Sequence, residues 1–273
     1  MHPVFFEFNT PEFLKFLFPD TITVYSYGAM IALGALLGFA YTTWQAKKQL
    51  KIPFETTNEL ILFILVFSII GGKFFVIFED FSGFLNDPGQ LFRNFSSGFV
   101  FFGSLLFAIP TMLIFFRVKK IPTLPMLDIM AITTCIVHGT GRIGCFFAGC
   151  CHGVPHDGIF SVVFTDPLCQ AEPLNTPLHP TQLYSMVMIY GIMIFLLVLS
   201  GKKQFNGQIF LLYLILYSIG RMVIEIFRGD LSRGYVIQNM ITNSQFISIV
   251  VIGVSAYFYI TLRKKAVRSG KLK

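Results

Sequence analysis

Seven apolar runs, each near the roughly 20 residues that a helix needs to cross a bilayer, leave this chain few folds to choose from. They fall at 24–44, 60–78, 99–116, 127–147, 182–199, 208–227 and 246–262. Backbone in hydrocarbon must satisfy its own hydrogen bonds, so each run is expected to be a helix. The expected fold is therefore all-α, with seven transmembrane helices in a single membrane domain over residues 1–273. Charged residues make up only 13% of the chain and mean hydropathy is +0.69, whereas soluble domains carry about 25% charged residues. That balance excludes an ordinary soluble enzyme, and the 33 phenylalanines suit lipid-facing surface.

Basic residues orient such helices, because cytoplasmic connections retain Lys and Arg. Lys47, Lys48 and Lys51 follow the first run, Arg117, Lys119 and Lys120 the third, Lys202 and Lys203 the fifth, and a cluster from Arg263 to Lys273 the seventh. The other side holds Lys15, Arg93, Arg228 and Arg233. The N-terminus is expected outside and the C-terminus in the cytoplasm. The net charge of +7 is scattered in short clusters between apolar runs, so no nucleic-acid partner is expected. Residues 1–20 lack a basic segment followed by an apolar core and a small-residue cleavage site, so the first run is expected to be its own insertion signal. The longest outward connection, 149–180, is rich in Pro and polar residues and reads as an irregular outward-facing loop.

Ionisable groups inside apolar runs are costly and mark pairing or a wet cavity. His138, Arg142 and Cys145 share one helical stripe in the fourth run, and Tyr217, Arg221 and Glu225 share another in the sixth. Two accounts are open. Arg221 and Glu225 could form a structural ion pair while Arg142 satisfies helix-end carbonyls, or both guanidinium groups could clamp a phosphate. Gly141 and Gly144 flank Arg142 and allow close approach. Lys73, inside the second run, points to a wet cavity or an acidic partner, with snorkelling as its alternative. Tyr27 lies at the outer boundary, where an aromatic belt competes with a site role. Gly34 and Gly38 read as a helix-packing pair. His179, Gln182 and Tyr184 cluster where the fifth run begins, although Pro180 and Thr181 also serve as helix-start residues. Gly153 joins them as a candidate substrate contact.

Five cysteines admit several readings. Cys145, Cys150, Cys151 and Cys169 with His152 and His156 could hold zinc, but no paired CxxC spacing supports it, and no metal or cofactor is expected. A bridge from Cys150 or Cys151 to Cys169 suits an oxidising exterior better. Catalytic thiols are a third option, while Cys135 reads as a small buried apolar residue.

Taken in order, Tyr27-Gly28, Gly71-Gly72-Lys73, Asp87-Pro88, Leu91-Phe92-Arg93, Gly141-Arg142-Ile143-Gly144, His179 to Tyr184, and Arg221 to Arg228 resemble the prolipoprotein diacylglyceryl transferase family of bacterial membrane enzymes. The resemblance implies seven membrane helices with the N-terminus outward in the bacterial cytoplasmic (inner) membrane. It also implies transfer of the diacylglyceryl group of phosphatidylglycerol to the lipobox cysteine of a prolipoprotein, with glycerol phosphate released at the outer leaflet. The implied partners are that phospholipid, surrounding membrane lipid and the signal-peptide region of the prolipoprotein. Arg142 and Arg221 match the family's essential arginines, Tyr27 its active-site tyrosine, and Glu225 the acid one turn beyond the second arginine.

Three positions depart from the pattern. Phe102-Gly103-Ser104 stands where the family has His-Gly-Gly, Cys145 where it has Asn, and Ala148-Gly149-Cys150-Cys151 where an Asn-Gly-Glu segment is usual. His138, one turn before Arg142, is a candidate to accept the thiol proton in place of the missing histidine, with a core histidine bonded to a neighbouring helix as the alternative. Rival functions are a paralogue serving another acceptor, a transporter or lipid-binding protein using the arginines for anion recognition, and a thiol-redox membrane protein.

Overall fold

A computed structural model describes residues 2–12, 20–79, 81, 100–228, 235–237 and 241–270. Among these residues the chain is mostly helical, with seven helices: α1 (Ser26–Leu50), α2 (Phe54–Glu79), α3 (Phe101–Val118), α4 (Thr123–Ala148), α5 (Thr181–Ser200), α6 (Gln208–Ile226) and α7 (Asn243–Arg268). Six are long and apolar enough to cross a membrane, and α3 contributes a shorter apolar stretch, Phe102–Val118. Each helix corresponds to one apolar run of the sequence. Large apolar side chains such as Leu36, Leu62, Ile114, Val198 and Val223 are exposed, an arrangement that water would penalise and lipid tails accept.

Among the described residues three short antiparallel strand pairs accompany the helices: β1 (Val4–Asn9) with β2 (Thr21–Tyr25), β3 (Val162–Val163) with β4 (Pro177–Leu178), and β5 (Tyr235–Ile237) with β6 (Ile241–Thr242). Hydropathy gives no hint of them, because they lie in polar connections or beside the runs. The first run therefore starts later than expected, since Val24 and Tyr25 belong to β2 and the helix begins at Ser26. Asp87, Pro88, Leu91, Phe92 and Arg93, with Lys15 and Arg233, lie outside the described residues.

The chain divides into two compact units, Met1–Tyr41 with Leu127–Lys273, and Thr42–Met126. In the second unit α2 packs on α3 through Gly71 and Gly103. A Cβ on either would collide with the other's carbonyl oxygen, so the two backbones touch only because both lack side chains. Lys119 pairs with Glu59 beside the Phe63–Phe115 ring contact.

In the first unit α4, α5 and α6 share a core of Ala131, Ile132, Cys135, Ile189, Leu196, Ile209 and Tyr213. Gly34 and Gly38 of α1 lie against Thr140, Val137 and Thr133 of α4, the packing role their spacing suggested. Asp128 of α4 caps α6, accepting from Gly207 N at 2.9 Å and Phe210 N at 3.0 Å, with Lys203 Nζ at 3.4 Å. A carboxylate at a helix N-terminus meets both unsatisfied amides and the positive end of the dipole. Past α4, the connection to α5 folds over a core of its own, Phe164, Cys169, Ala171 and Leu178 packed on Phe146. α7 opens with a capping box between Thr242 and Gln245.

Candidate active site

The two intramembrane arginines converge on one imidazole. Arg142 Nε donates to His138 Nε2 at 3.1 Å, within one turn of α4. His138 also lies within electrostatic reach of Arg221 on α6, and its ring packs on Tyr217 with centroids 5.4 Å apart. Arg221 forms an ion pair with Glu225 one turn later, both side chains largely buried. The sixth-run stripe thus contains the ion pair of the structural account, and it also lies beside the fourth-run stripe. A guanidinium presents five donors, so the Nε–H that Arg142 commits to His138 leaves the Nη groups for an anion.

Tyr27, at the first turn of α1 and 44% exposed, sits within electrostatic reach of Arg142, Cys145, Cys150 and Cys151. Gly144 makes room for it, since a Cβ there would lie 3.2 Å from the Tyr27 Cα, and Gly141 is buried beside Ile31. The sulfurs of Cys145, Cys150 and Cys151 all lie within 4.8 Å of one another. Hydrogen bonds from the other two thiols hold Cys151 well below the usual thiol range, helped by the Arg228 and Arg142 charges and opposed by burial. The same contacts push Cys150 up. All five cysteines are unbridged, and Cys169 points its thiol to the Phe147 carbonyl.

A backbone seam draws three segments together around this cluster. Gly153 N donates to His179 O at 2.8 Å, His179 N to Val154 O at 3.1 Å, and Val154 N to Phe227 O at 3.0 Å. Gly153 pairs across with Arg228. A Cβ on Gly153 would strike Phe227 O and lie 2.7 Å from His179 Cβ, so no other residue fits the seam. His179 accepts or donates at Nδ1 to Tyr184 Oη at 3.0 Å and stacks on His156 at 3.9 Å. Burial, then the neighbouring His156 charge, lowers its pKa from the ordinary histidine value. Gln182 is fully buried, and its amide donates to the Cys150 carbonyl at 2.7 Å. The structure thus gathers Tyr27, His138, Gly141, Arg142, Gly144, Gly153, His179, Gln182, Tyr184, Arg221 and Glu225 in one unit. Lys73 is half-buried on α2, in the other.

The sequence profile of prolipoprotein diacylglyceryl transferase matches residues 15–261. The chain belongs to the prolipoprotein diacylglyceryl transferase family. It is similar to the phosphatidylglycerol–prolipoprotein diacylglyceryl transferase of Clostridium tetani, 35% identical over 246 residues that cover 89% of this chain and 96% of the relative. A second such transferase, from Clostridium perfringens, is 31% identical over 85% of this chain and 88% of its own length. The Oceanobacillus iheyensis transferase is 30% identical over 89% of this chain and 85% of its own. Membership agrees with a multi-pass membrane protein built from apolar helices.

Within this family framework, some residues of the cluster escaped sequence reasoning. Thr181 looked like helix-start grammar, yet its Oγ1 donates to the Cys151 carbonyl at 2.6 Å. Arg228 reaches Cys151 electrostatically, which its place one turn beyond Glu225 did not announce. Tyr217, which its i, i+4 spacing already placed on the Arg221 stripe, packs on His138 as well.

Proposed function

We propose that this chain is a membrane transferase that moves the diacylglyceryl group of phosphatidylglycerol to the lipobox cysteine thiol of a prolipoprotein, releasing glycerol phosphate. The observation that carries the reading is the convergence of Arg142 and Arg221, from two helices, on His138, in a chain of this family. The relatives named above carry phosphatidylglycerol and prolipoprotein in their names. Basic residues at the ends of alternate runs support seven spans in one membrane domain of the bacterial cytoplasmic membrane. They also support an outward N-terminus and a cytoplasmic C-terminus, with the site toward the outer leaflet.

The acceptor thiol gives its proton to water and its sulfur attacks the glyceryl carbon, the bond between that carbon and the phosphate ester oxygen breaks, and glycerol phosphate departs with the electron pair. Arg142 and Arg221 hold that phosphate. Contacts that strengthen as its charge develops lower the barrier. Glu225 holds Arg221 in place before the lipid enters. Tyr27, beside Arg142 and accessible, contacts the reacting headgroup. His138 steadies Arg142 through its Nε2 lone pair, and it can take the acceptor's proton only if that bond opens. Gly141 and Gly144 admit the lipid close to α4, while Gly153, His179, Gln182 and Tyr184 shape the outward rim that receives the signal-peptide region. Lys73, a cation inside the second apolar run and part of the family's Gly-Gly-Lys segment, contacts the headgroup.

Expression in cells depleted of their own diacylglyceryl transferase tests the reading. Lipidated prolipoprotein and restored growth are expected. Abundant, folded protein that leaves prolipoprotein unmodified would overturn it.

A further inference from the structure

We propose that Cys145, Cys150 and Cys151 form a zinc site whose open fourth position binds the acceptor thiol as a thiolate. This deepens the transfer reading above and rests on it. Zinc–sulfur bonds of about 2.3 Å in a tetrahedron set sulfur–sulfur separations of about 3.8 Å. The three sulfurs lie within 4.8 Å of one another, so no pair needs to close by more than about 1 Å.

The chain holds these sulfurs together by means that spacing does not advertise. Gly149 and Cys151 are both left-handed, with φ of 75° and 62°, and turn the chain back on the end of α4. A non-glycine residue persists there only where its surroundings hold it. Here Gln182 Nε2 grips the Cys150 carbonyl at 2.7 Å and Thr181 Oγ1 the Cys151 carbonyl at 2.6 Å, both from the buried first turn of α5. The loop is thereby preorganised around its thiols.

Three protein ligands with one open position characterise catalytic zinc, and four characterise structural zinc. The adjacent His152 does not complete the set. Its Nε2 accepts from Glu172 N at 3.3 Å and its Nδ1 faces Gly153 O at 2.9 Å. Three thiolates and one zinc carry a net negative charge, which Arg142 and Arg228, both within electrostatic reach of Cys151, offset. Cys145 follows Arg142 by three residues on the same face of α4, so the metal would sit beside the guanidinium proposed to hold the phosphate. His138 already commits its Nε2 lone pair to Arg142, which leaves thiol activation to another agent.

When the acceptor thiol binds, its proton passes to the outer aqueous phase and the sulfur remains nucleophilic on the metal. The carbon–sulfur bond then forms as the carbon–oxygen bond breaks. Glycerol phosphate leaves with the electron pair and regains a proton from water, and the neutral thioether, a poor ligand, vacates the fourth position.

The test uses the full chain purified in detergent under reducing conditions, loaded with zinc and, separately, with cobalt. About one zinc per chain by elemental analysis is expected, together with the charge-transfer and visible bands of tetrahedral thiolate–cobalt. Cys145→Ser, Cys150→Ser and Cys151→Ser should each lower retained metal at least tenfold, while Cys135→Ser and Cys169→Ser retain it. A lipobox peptide should intensify the thiolate–cobalt band, and its Cys→Ser version should not. Folded wild-type protein that takes up neither metal would overturn the site, as would metal retained when all three cysteines are replaced, or a native disulfide within the trio. Full lipidation by metal-free protein overturns the metal's part and leaves the transfer reading standing. Metal and peptide binding without any lipid transfer supports the site and sinks the transfer reading.

Discussion

Arg142→Lys keeps a positive charge and removes the planar fork, so it separates charge from geometry. A phosphate clamp uses paired N–H donors, which an ammonium cannot reproduce. Arg142→Lys and Arg221→Lys should each lower kcat by about 100-fold or more, in line with the loss of a transition-state donor, with purified enzyme and phosphatidylglycerol vesicles as the assay. An unchanged kcat in either would remove that arginine from the clamp. At His138 two substitutions divide the possible roles. Gln can accept from Arg142 Nε but cannot take up a proton at neutral pH, whereas Leu does neither. If His138 only steadies Arg142, His138→Gln should retain most activity and His138→Leu should lose about tenfold, equivalent to about 1.4 kcal/mol and typical of one charge-assisted hydrogen bond. Full activity in the Gln variant would end its candidacy as a base. The Arg142–His138 contact was legible because an i, i+4 spacing fixes neighbours on a helix. Cys145, Cys150 and Cys151 were legible only as part of a larger cysteine and histidine set; that these three alone converge depends on left-handed backbone at Gly149 and Cys151, and no residue pattern announces a cysteine in that region.

At the scale of elements, the seam through Gly153 decides whether the loop after α4, the start of α5 and the end of α6 meet. Gly153→Ala places a Cβ on the Phe227 carbonyl and within 2.7 Å of His179 Cβ. Backbone cannot yield as a flexible side chain does, and overpacking of this kind costs about 1–3 kcal/mol. The variant should melt earlier than wild type and lose activity even though Gly153 carries no functional group. A melting temperature and activity equal to wild type would show that the seam adjusts freely. Sequence reasoning could name Gly153 as a candidate contact but could not give it this role, because an isolated bridge between distant segments leaves no periodicity behind. The same holds for Gln182, whose amide was legible as polar at a helix start, while its partner is the Cys150 carbonyl in another segment.

For the whole molecule, hydropathy located every described helix because span length is a direct consequence of bilayer thickness, while the hairpin leading into α1 and the small core over α4 fell in segments that no such length constraint governs. Orientation follows from a different physical asymmetry, the retention of Lys and Arg in cytoplasmic connections. Two features of the first unit bear on it. Asp128 and Lys203 lie with the N-terminus of α6, opposite along α6 from Arg221 and Glu225, so a site facing outward puts that polar knot on the cytoplasmic side with Lys202. The basic residues at the C-terminal end of α7, from Arg263 to Arg268, should then lie in the cytoplasm as well. A fluorescent protein fused after Lys273 should fluoresce, and a phosphatase that needs disulfides should be inactive there yet active when inserted after Asp157, in the connection that covers the site. The reverse pattern in both reporters would turn the protein over in the membrane and place the arginine cluster on the wrong side for a phospholipid of the outer leaflet.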